Sequence, residues 1–144
     1  GFDLVKEQIN VANGKKLSVK QKDIKIKGHS IECRINSEDP ATFVPNAGNI
    51  KNYHAPGGFG VRIDSALYSG YKVPPNYDSL IAKLIVYGNN REEAILKLKI
   101  ALKEYVIDGI NTTLSLHEKI ISENEFISGN YDIRWLEKFL KNND

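Results

Sequence analysis

The stretch of sequence that decides the fold is Gly28-His29-Ser30-Ile31-Glu32-Cys33-Arg34-Ile35-Asn36. Apolar and polar residues alternate along it, which is the pattern of a β-strand with one face on a core. The apolar face carries Ile31, Cys33 and Ile35. On the opposite face, the Arg34 guanidinium is a fixed and permanently charged donor, suited to a planar anion or a carbonyl. The ordinary alternative is a solvent-facing strand whose Glu32 and Arg34 form surface ion pairs.

Length and composition are those of an ordinary globular chain. The 144 residues suffice for one domain with a hydrophobic core, and 41% hydrophobic with 26% charged residues argues against disorder. Twenty basic and 18 acidic residues leave a net charge of +2, which is too small to indicate a nucleic-acid or membrane partner. No apolar run is long enough to span a bilayer, and the start lacks a signal-peptide pattern. We therefore expect a cytoplasmic protein.

Cysteine, methionine and histidine usage adds three expectations. Cys33 is the only cysteine, which excludes a disulfide framework and a cysteine-based metal site. The chain has no methionine and opens directly into a helical pattern, so we expect a segment of a longer polypeptide. The histidines lie far apart, without the spacing of zinc ligands, so no metal site is predicted.

Strand patterns dominate the first part of the chain and helical patterns the last part. The predicted strands are 24–27, 28–36, 48–54, 61–64, 71–73 and the central strand 80–87. The predicted helices are 2–12, 91–106 with Asn90 as N-cap and Glu93 reaching back, a helix starting at Thr112 or Thr113, and 132–140. This order predicts an α+β fold, a mostly antiparallel sheet backed by C-terminal helices.

Three further residues are candidates for function. Phe59 lies on a glycine-rich turn and Arg62 follows it, so the two could form an aromatic–arginine contact patch, with a plain packed hairpin as the alternative. Asp78 precedes the predicted central strand, where an acid can cap the strand or orient an arginine on a neighbouring strand. We find no magnesium-binding acid pair, ATP-sized glycine loop or activated nucleophile, so this segment alone does not resemble a complete active site.

Four motifs in order closely resemble the C-terminal domain of biotin carboxylase, the ATP-grasp component of biotin-dependent carboxylases. They are Gly28-His29-Ser30-Ile31-Glu32-Cys33-Arg34-Ile35-Asn36-Ser37-Glu38-Asp39-Pro40, His54-Ala55-Pro56-Gly57-Gly58-Phe59-Gly60-Val61-Arg62, Pro74-Pro75-Asn76-Tyr77-Asp78-Ser79-Leu80-Ile81-Ala82-Lys83-Leu84 and Ile107-Asp108-Gly109-Ile110-Asn111-Thr112. The resemblance runs from Gly1 to Leu140. It implies one domain over 1–144, with a lead-in helix and strand over 1–27 and a core over 28–140.

The resemblance implies a reaction and its residues. In this family, ATP and bicarbonate form carboxyphosphate, and biotin on a carrier protein is carboxylated at a ureido nitrogen. The family's arginine that binds the ureido oxygen corresponds to Arg34, which is thereby implied to be catalytic. Asp78 is a possible orienting partner for it, and Phe59 and Arg62 match positions at the dimer interface in the bacterial form of the family.

The resemblance also implies partners and missing parts. The ATP and magnesium sites of the family lie upstream of Gly1, so the fragment alone is expected to be inactive. The implied partners are a biotin carboxyl carrier protein, carboxyltransferase subunits and a second copy of the parent, with no nucleic acid and no membrane. Only four residues follow Leu140, and if Asp144 is the natural terminus we expect a stand-alone subunit, as in the bacterial acetyl-CoA carboxylase of fatty acid synthesis, rather than a fused pyruvate carboxylase chain.

Two alternatives stay open at this point. The chain could belong to another ATP-grasp ligase, for example one of purine synthesis, although the Glu-Cys-Arg-Ile-Asn strand argues against it. It could also be a non-catalytic module that dimerises or docks a carrier protein. An ATP-grasp portion encoded upstream in the parent would favour the enzyme hypothesis over the hypothesis of a non-catalytic module.

Overall fold

The computed structural model of this chain describes residues 2–142. Within them the helices are α1 (Leu4–Ala12), α2 (Arg91–Glu104), α3 (Leu114–Ile120), α4 (Asn124–Ser128) and α5 (Trp135–Asn142), besides one 3-10 turn (Gln21–Asp23). The strands are β1 (His29–Asn36), β2 (Gly48–Asn49), β3 (Tyr53–His54), β4 (Val61–Ser65), β5 (Lys72–Val73), β6 (Leu80–Gly88) and β7 (Val106–Ile107). The predicted α+β class is confirmed.

The main sheet has three antiparallel strands in the order β1-β6-β4. β6 is the central strand, as its nearly continuous apolar sequence predicts. Its Ala82, Leu84 and Val86 are buried, and they lie opposite Ile35, Cys33 and Ile31 of β1. The predicted inward face of β1 is therefore confirmed.

Helix α2 covers the apolar face of this sheet. Ala94, Leu98 and Ala101 recur at helical spacing and are buried against the strands. The predicted N-cap is confirmed, because the Asn90 side chain accepts a hydrogen bond from the Glu93 backbone N–H at 2.8 Å. The Glu93 carboxylate reaches back to the backbone N–H of Asn89 rather than of Asn90.

Two of the predicted strands are wrong. Residues 24–27 form no strand, and Ile26 lies in solvent, because no neighbouring strand offers its backbone a partner there. Residues 48–54 form two separate short strands: β2 pairs with β5, and β3 pairs with β7. The chain turns between them where Ile50 enters the core and the Lys51 backbone N–H donates to the Asp108 carbonyl at 2.7 Å.

Helix α3 packs against α2 and the outer edge of β1, whereas α4 contacts the start of α2, where the Arg91 guanidinium donates to the Phe126 carbonyl. The predicted helix after Thr113 is confirmed as α3, and the predicted closing helix as α5. The short helix α4 was not predicted. It belongs to an aromatic stack that continues into α5 and comprises Phe126, Tyr131, Trp135 and Phe139.

The predicted N-terminal helix is confirmed as α1, which Asp3 caps by accepting a hydrogen bond from the Lys6 backbone N–H. Its apolar side chains Leu4, Val5 and Ile9 are exposed. The division into a lead-in over 1–27 and a core over 28–140 stays a prediction. Within the described residues, no helix is both long and apolar enough to cross a membrane.

Candidate functional site

Arg34 lies in the middle of β1 on the sheet face opposite α2. Its guanidinium is exposed, as the alternation of the strand predicts. Among the described residues, no side chain forms an ion pair or a hydrogen bond with this guanidinium. Neither Glu32 nor Arg34 therefore forms an ion pair within the described residues, and the guanidinium is available to a ligand.

The backbone of Arg34 is held from the outer edge of β1 by α3. Its carbonyl accepts hydrogen bonds from the His117 Nε2 at 2.9 Å and the Thr113 Oγ1 at 3.3 Å. Thr113 also closes the edge at Asn36, donating its backbone N–H to the Asn36 carbonyl at 3.1 Å and accepting from the Asn36 backbone N–H at 3.0 Å. Arg34 thus extends from a strand that is fixed on both edges.

His117 and Thr113 are functional candidates that the sequence does not predict. They lie 83 and 79 residues from Arg34 along the chain, and no local motif predicts that contact. The sequence pattern predicts Thr113 only as the start of a helix, and it suggests for His117 only the role of a metal ligand, which its spacing argues against. Only the path of the chain from α2 to α3 brings them to β1.

Partial burial of the His117 imidazole lowers its pKa below the ordinary 6.5, and the hydrogen bond to the Arg34 carbonyl partly offsets this. Unfolded His117 therefore binds a proton more readily than folded His117, so the free energy of unfolding falls as the pH drops below about 6.5. His117→Gln removes this titration while its amide can still donate to the carbonyl. Urea unfolding measures the free energy of unfolding of both proteins at about pH 7.5 and 5.5. We expect the free energy of unfolding of the variant, relative to that of the parent, to be higher at the lower pH. A difference that does not change with pH contradicts this account.

Asp78 caps the entrance to β6. Its carboxylate accepts a hydrogen bond from the Leu80 backbone N–H at 2.7 Å, and among the described residues it has no ion pair with Arg34. The register explains the separation, because Leu80 lies opposite Asn36, so Asp78 lies beyond the end of β1. The capping role is therefore formed in this structure, and the orienting role towards Arg34 stays a prediction.

A polar network lies beside Asp78. Glu38 accepts hydrogen bonds from the Asn36 Nδ2 at 3.1 Å and from the Ser79 hydroxyl. The Asn36 Oδ1 is buried and has no hydrogen-bond partner within the described part of the chain. A buried acceptor without a partner leaves room for a donor from a ligand or from another part of the protein.

Phe59 and Arg62 do not contact each other. The Phe59 ring lies on the α2 side, with the Lys97 Nζ 5.6 Å from its centroid. Arg62 lies on the opposite sheet face and makes a bidentate ion pair with Asp64, at 2.8 and 3.0 Å. These hydrogen bonds lower the pKa of the Asp64 carboxyl group. Phe59, on the turn before β4, and Arg62, in β4, therefore do not stack on each other within one chain, and their role as a contact patch stays a prediction.

The described residues include side chains of metal-ligating types and the single thiol. Within residues 2–142, no group of three histidine, cysteine or acidic side chains is close enough to hold a metal ion. The lone Cys33 thiol is buried under α2, and this burial raises its pKa to about 12. It packs as a small apolar side chain rather than acting as a nucleophile.

Comparisons with known proteins agree on one family. The family model described as the biotin carboxylase C-terminal domain matches residues 32–138. The biotin carboxylase of Haemophilus influenzae is 55% identical over 144 residues, covering 100% of this chain and 32% of the relative. The biotin carboxylase of Pseudomonas aeruginosa is 53% identical over 140 residues, covering 97% of this chain and 31% of the relative.

Solved structures give the same result. The biotin carboxylase domain dimer of the Hydrogenobacter thermophilus 2-oxoglutarate carboxylase, solved with MgADP, ADP and bicarbonate, superposes with a TM-score of 0.89 at 46% identity. The match covers 96% of this chain and 31% of that chain. This chain therefore spans about a third of the length of the relatives it matches.

Proposed function

This chain belongs to the biotin carboxylase C-terminal domain family, and from that premise we propose that it supplies the biotin-contacting part of a biotin carboxylase. The parent would carboxylate carrier-bound biotin with ATP and bicarbonate. The observation that supports this most directly is the Arg34 guanidinium, which has no ion-pair partner in residues 2–142 and extends from a strand anchored by β6 and α3.

The chemistry of biotin explains why such an arginine is useful. Removing the proton from the ureido nitrogen places negative charge on the ureido oxygen. A preorganised guanidinium stabilises that oxygen as the charge develops, without reorganising during the reaction. Arg34 is thus proposed as the catalytic residue and the biotin contact, and Asp78 as a weaker candidate for orienting it in the parent.

The nucleotide chemistry is assigned to other parts of the parent. ATP and magnesium need a phosphate-binding loop and a group of acidic ligands, and residues 2–142 contain no such metal-ligand group. The 144 residues alone are expected to have no carboxylase activity.

The proposed partners are a biotin carboxyl carrier protein, carboxyltransferase subunits and a second copy of the parent. Membership of the family does not determine the acyl acceptor, since the relatives include parts of pyruvate and 2-oxoglutarate carboxylases as well as biotin carboxylases. The expected acetyl-CoA carboxylase of fatty acid synthesis is thus one of several contexts for this domain. We retain it as a proposal.

Bicarbonate-dependent ATP hydrolysis by the full-length parent, measured with and without free biotin, tests this function. Stimulation by biotin supports biotin carboxylase. ATP turnover that is indifferent to biotin would assign the parent to another ATP-grasp ligase, and Arg34 would then be an ordinary strand arginine. A parent that neither hydrolyses ATP nor responds to biotin would favour a non-catalytic docking module.

A further prediction concerns the dimer. Phe59 is 93% exposed, and the Arg62 side chain, paired with Asp64, is 72% exposed, so both side chains are accessible to a partner. Phe59→Ala with Arg62→Glu should convert the full-length dimer to monomer in sedimentation velocity, since loss of one interface anchor commonly raises the dissociation constant by about 30-fold or more. Ile133→Ala, at an exposed apolar side chain elsewhere, serves as the control. A dimer that persists in the double variant would remove both residues from the interface.

A further inference from the structure

A second cation lies directly across from Arg34 on the same sheet face. The register of the main sheet places Arg34 opposite Lys83 of the central strand, and Lys83 opposite Asp64 of β4. Lys83 is half-buried, and among the described residues it has no hydrogen bond or ion pair. Lys83 interrupts an otherwise apolar strand, so its charge requires an explanation.

The hydrogen-bond pattern puts Lys83 closer to Arg34 than to Asp64. The Arg34 carbonyl points outward to His117 and Thr113, so Arg34 and Lys83 form a non-hydrogen-bonded pair, the closer kind in an antiparallel sheet. On the β4 side, the Tyr87 backbone N–H donates to the Gly60 carbonyl. Hydrogen-bonded pairs recur at every second residue of an antiparallel strand, so Lys83 and Asp64 also form a hydrogen-bonded pair, the kind whose side chains are farther apart.

Asp64 does not neutralise Lys83 by direct contact. Both oxygens of its carboxylate are already bound by the Arg62 guanidinium, at 2.8 and 3.0 Å. Lys83 contributes only a longer-range attraction that helps to lower the pKa of Asp64. Two like charges directly opposite each other destabilise a sheet unless an anion is shared between them.

We propose that Lys83 is a second catalytic cation, whose ammonium contacts the deprotonated ureido group of biotin beside Arg34. This inference rests on the proposed function and extends it. A ureido group that has lost its proton spreads negative charge over an oxygen and a nitrogen, so it can accept contacts from two adjacent cations. Because neutral biotin gains little from a cation, Lys83 acts when the charge develops and affects kcat more than KM.

The test uses the full-length protein with Lys83→Gln, which keeps a polar side chain of similar length without charge. We expect kcat for biotin carboxylation to fall by about 10- to 100-fold, as for loss of a charged hydrogen bond, while KM for biotin and for ATP changes less than about twofold. Lys83→Arg should recover most of the lost kcat. Lys72→Gln, at an exposed lysine on β5, should behave as the parent.

The outcomes separate this inference from the proposed function. If the unmodified parent shows no stimulation by biotin, the proposed function fails before Lys83 is considered. If the parent responds to biotin but Lys83→Gln keeps its kcat, the inference alone is overturned. A rise in KM for bicarbonate with kcat retained also overturns it, because Lys83 would then bind bicarbonate. Equal losses in Lys83→Gln and Lys83→Arg would indicate a packing role and contradict it.

Discussion

Replacing Arg34 by lysine in the full-length protein should lower biotin-dependent turnover by a factor on the order of 10²–10³, as removal of one oxyanion donor does in other enzymes. The charge is kept in this variant, so the loss measures the planar fork of the guanidinium. Bicarbonate-dependent ATP hydrolysis with a saturating concentration of biotin is the measurement. The effect belongs to kcat, because the ureido oxygen becomes negative only as the proton leaves.

The structure explains why a shift of the backbone should not allow a lysine at position 34 to take over the role of Arg34. The strand backbone is fixed by β6 on one edge and by His117 and Thr113 on the other, so it cannot shift to bring a different head group into place. An ammonium is also a point charge with three rotatable donors, whereas a guanidinium directs its donors in one plane. The substituted lysine would additionally face Lys83, another ammonium, across the strand pair.

Arg134→Lys is the matched control for Arg34→Lys. Arg134 is exposed just before α5, far from β1 in sequence, and its side chain forms no ion pair within the described residues. Both variants should unfold at the same urea concentration as the parent, since neither guanidinium is buried. Turnover near that of the parent in Arg34→Lys would show that Arg34 does not bind the ureido oxygen.

The sequence predicts those parts of the fold in which each strand or helix carries its own periodicity. Alternation identified β1 and the side to which Arg34 points, and the apolar run of β6 identified the central strand. The N-cap of α2 was predicted because the Asn90 side chain satisfies a backbone donor within the same turn. In each case the stabilising contact is local or repeats along one strand or helix.

The features that the sequence did not predict depend on distant partners. Residues 24–27 alternate like a strand, yet a strand needs a neighbour, and none is present there. The short strand at residues 106–107 exists only because residues 53–54 pair with it. The carbonyl of Arg34 meets His117 for the same reason, since a contact across 83 residues leaves no spacing to detect.

The contribution of α2 to the sheet can be measured with two leucines on the same helix. Leu98 is 0% exposed and packs in the core behind β1 and β6, whereas Leu96 is 58% exposed. Leu98→Ala should lower the free energy of unfolding by about 2–5 kcal/mol, because it loses buried area and leaves a cavity under the sheet. Leu96→Ala should stay within about 0.5 kcal/mol, since alanine and leucine have similar helix propensity and little packing is lost.

Urea unfolding of the 144-residue chain compares the two variants with the same chemical change on the same helix. A lower midpoint with an unchanged slope in Leu98→Ala would show a loss of packing within a cooperative unit. Such a loss is a large share of the roughly 5–15 kcal/mol that stabilises a typical domain. It would mean that the strand carrying Arg34 is kept in place by α2, on the side away from the proposed ligand. Equal midpoints for Leu98→Ala and Leu96→Ala would instead show that α2 does not stabilise the sheet, and that the edge contacts from α3 hold β1.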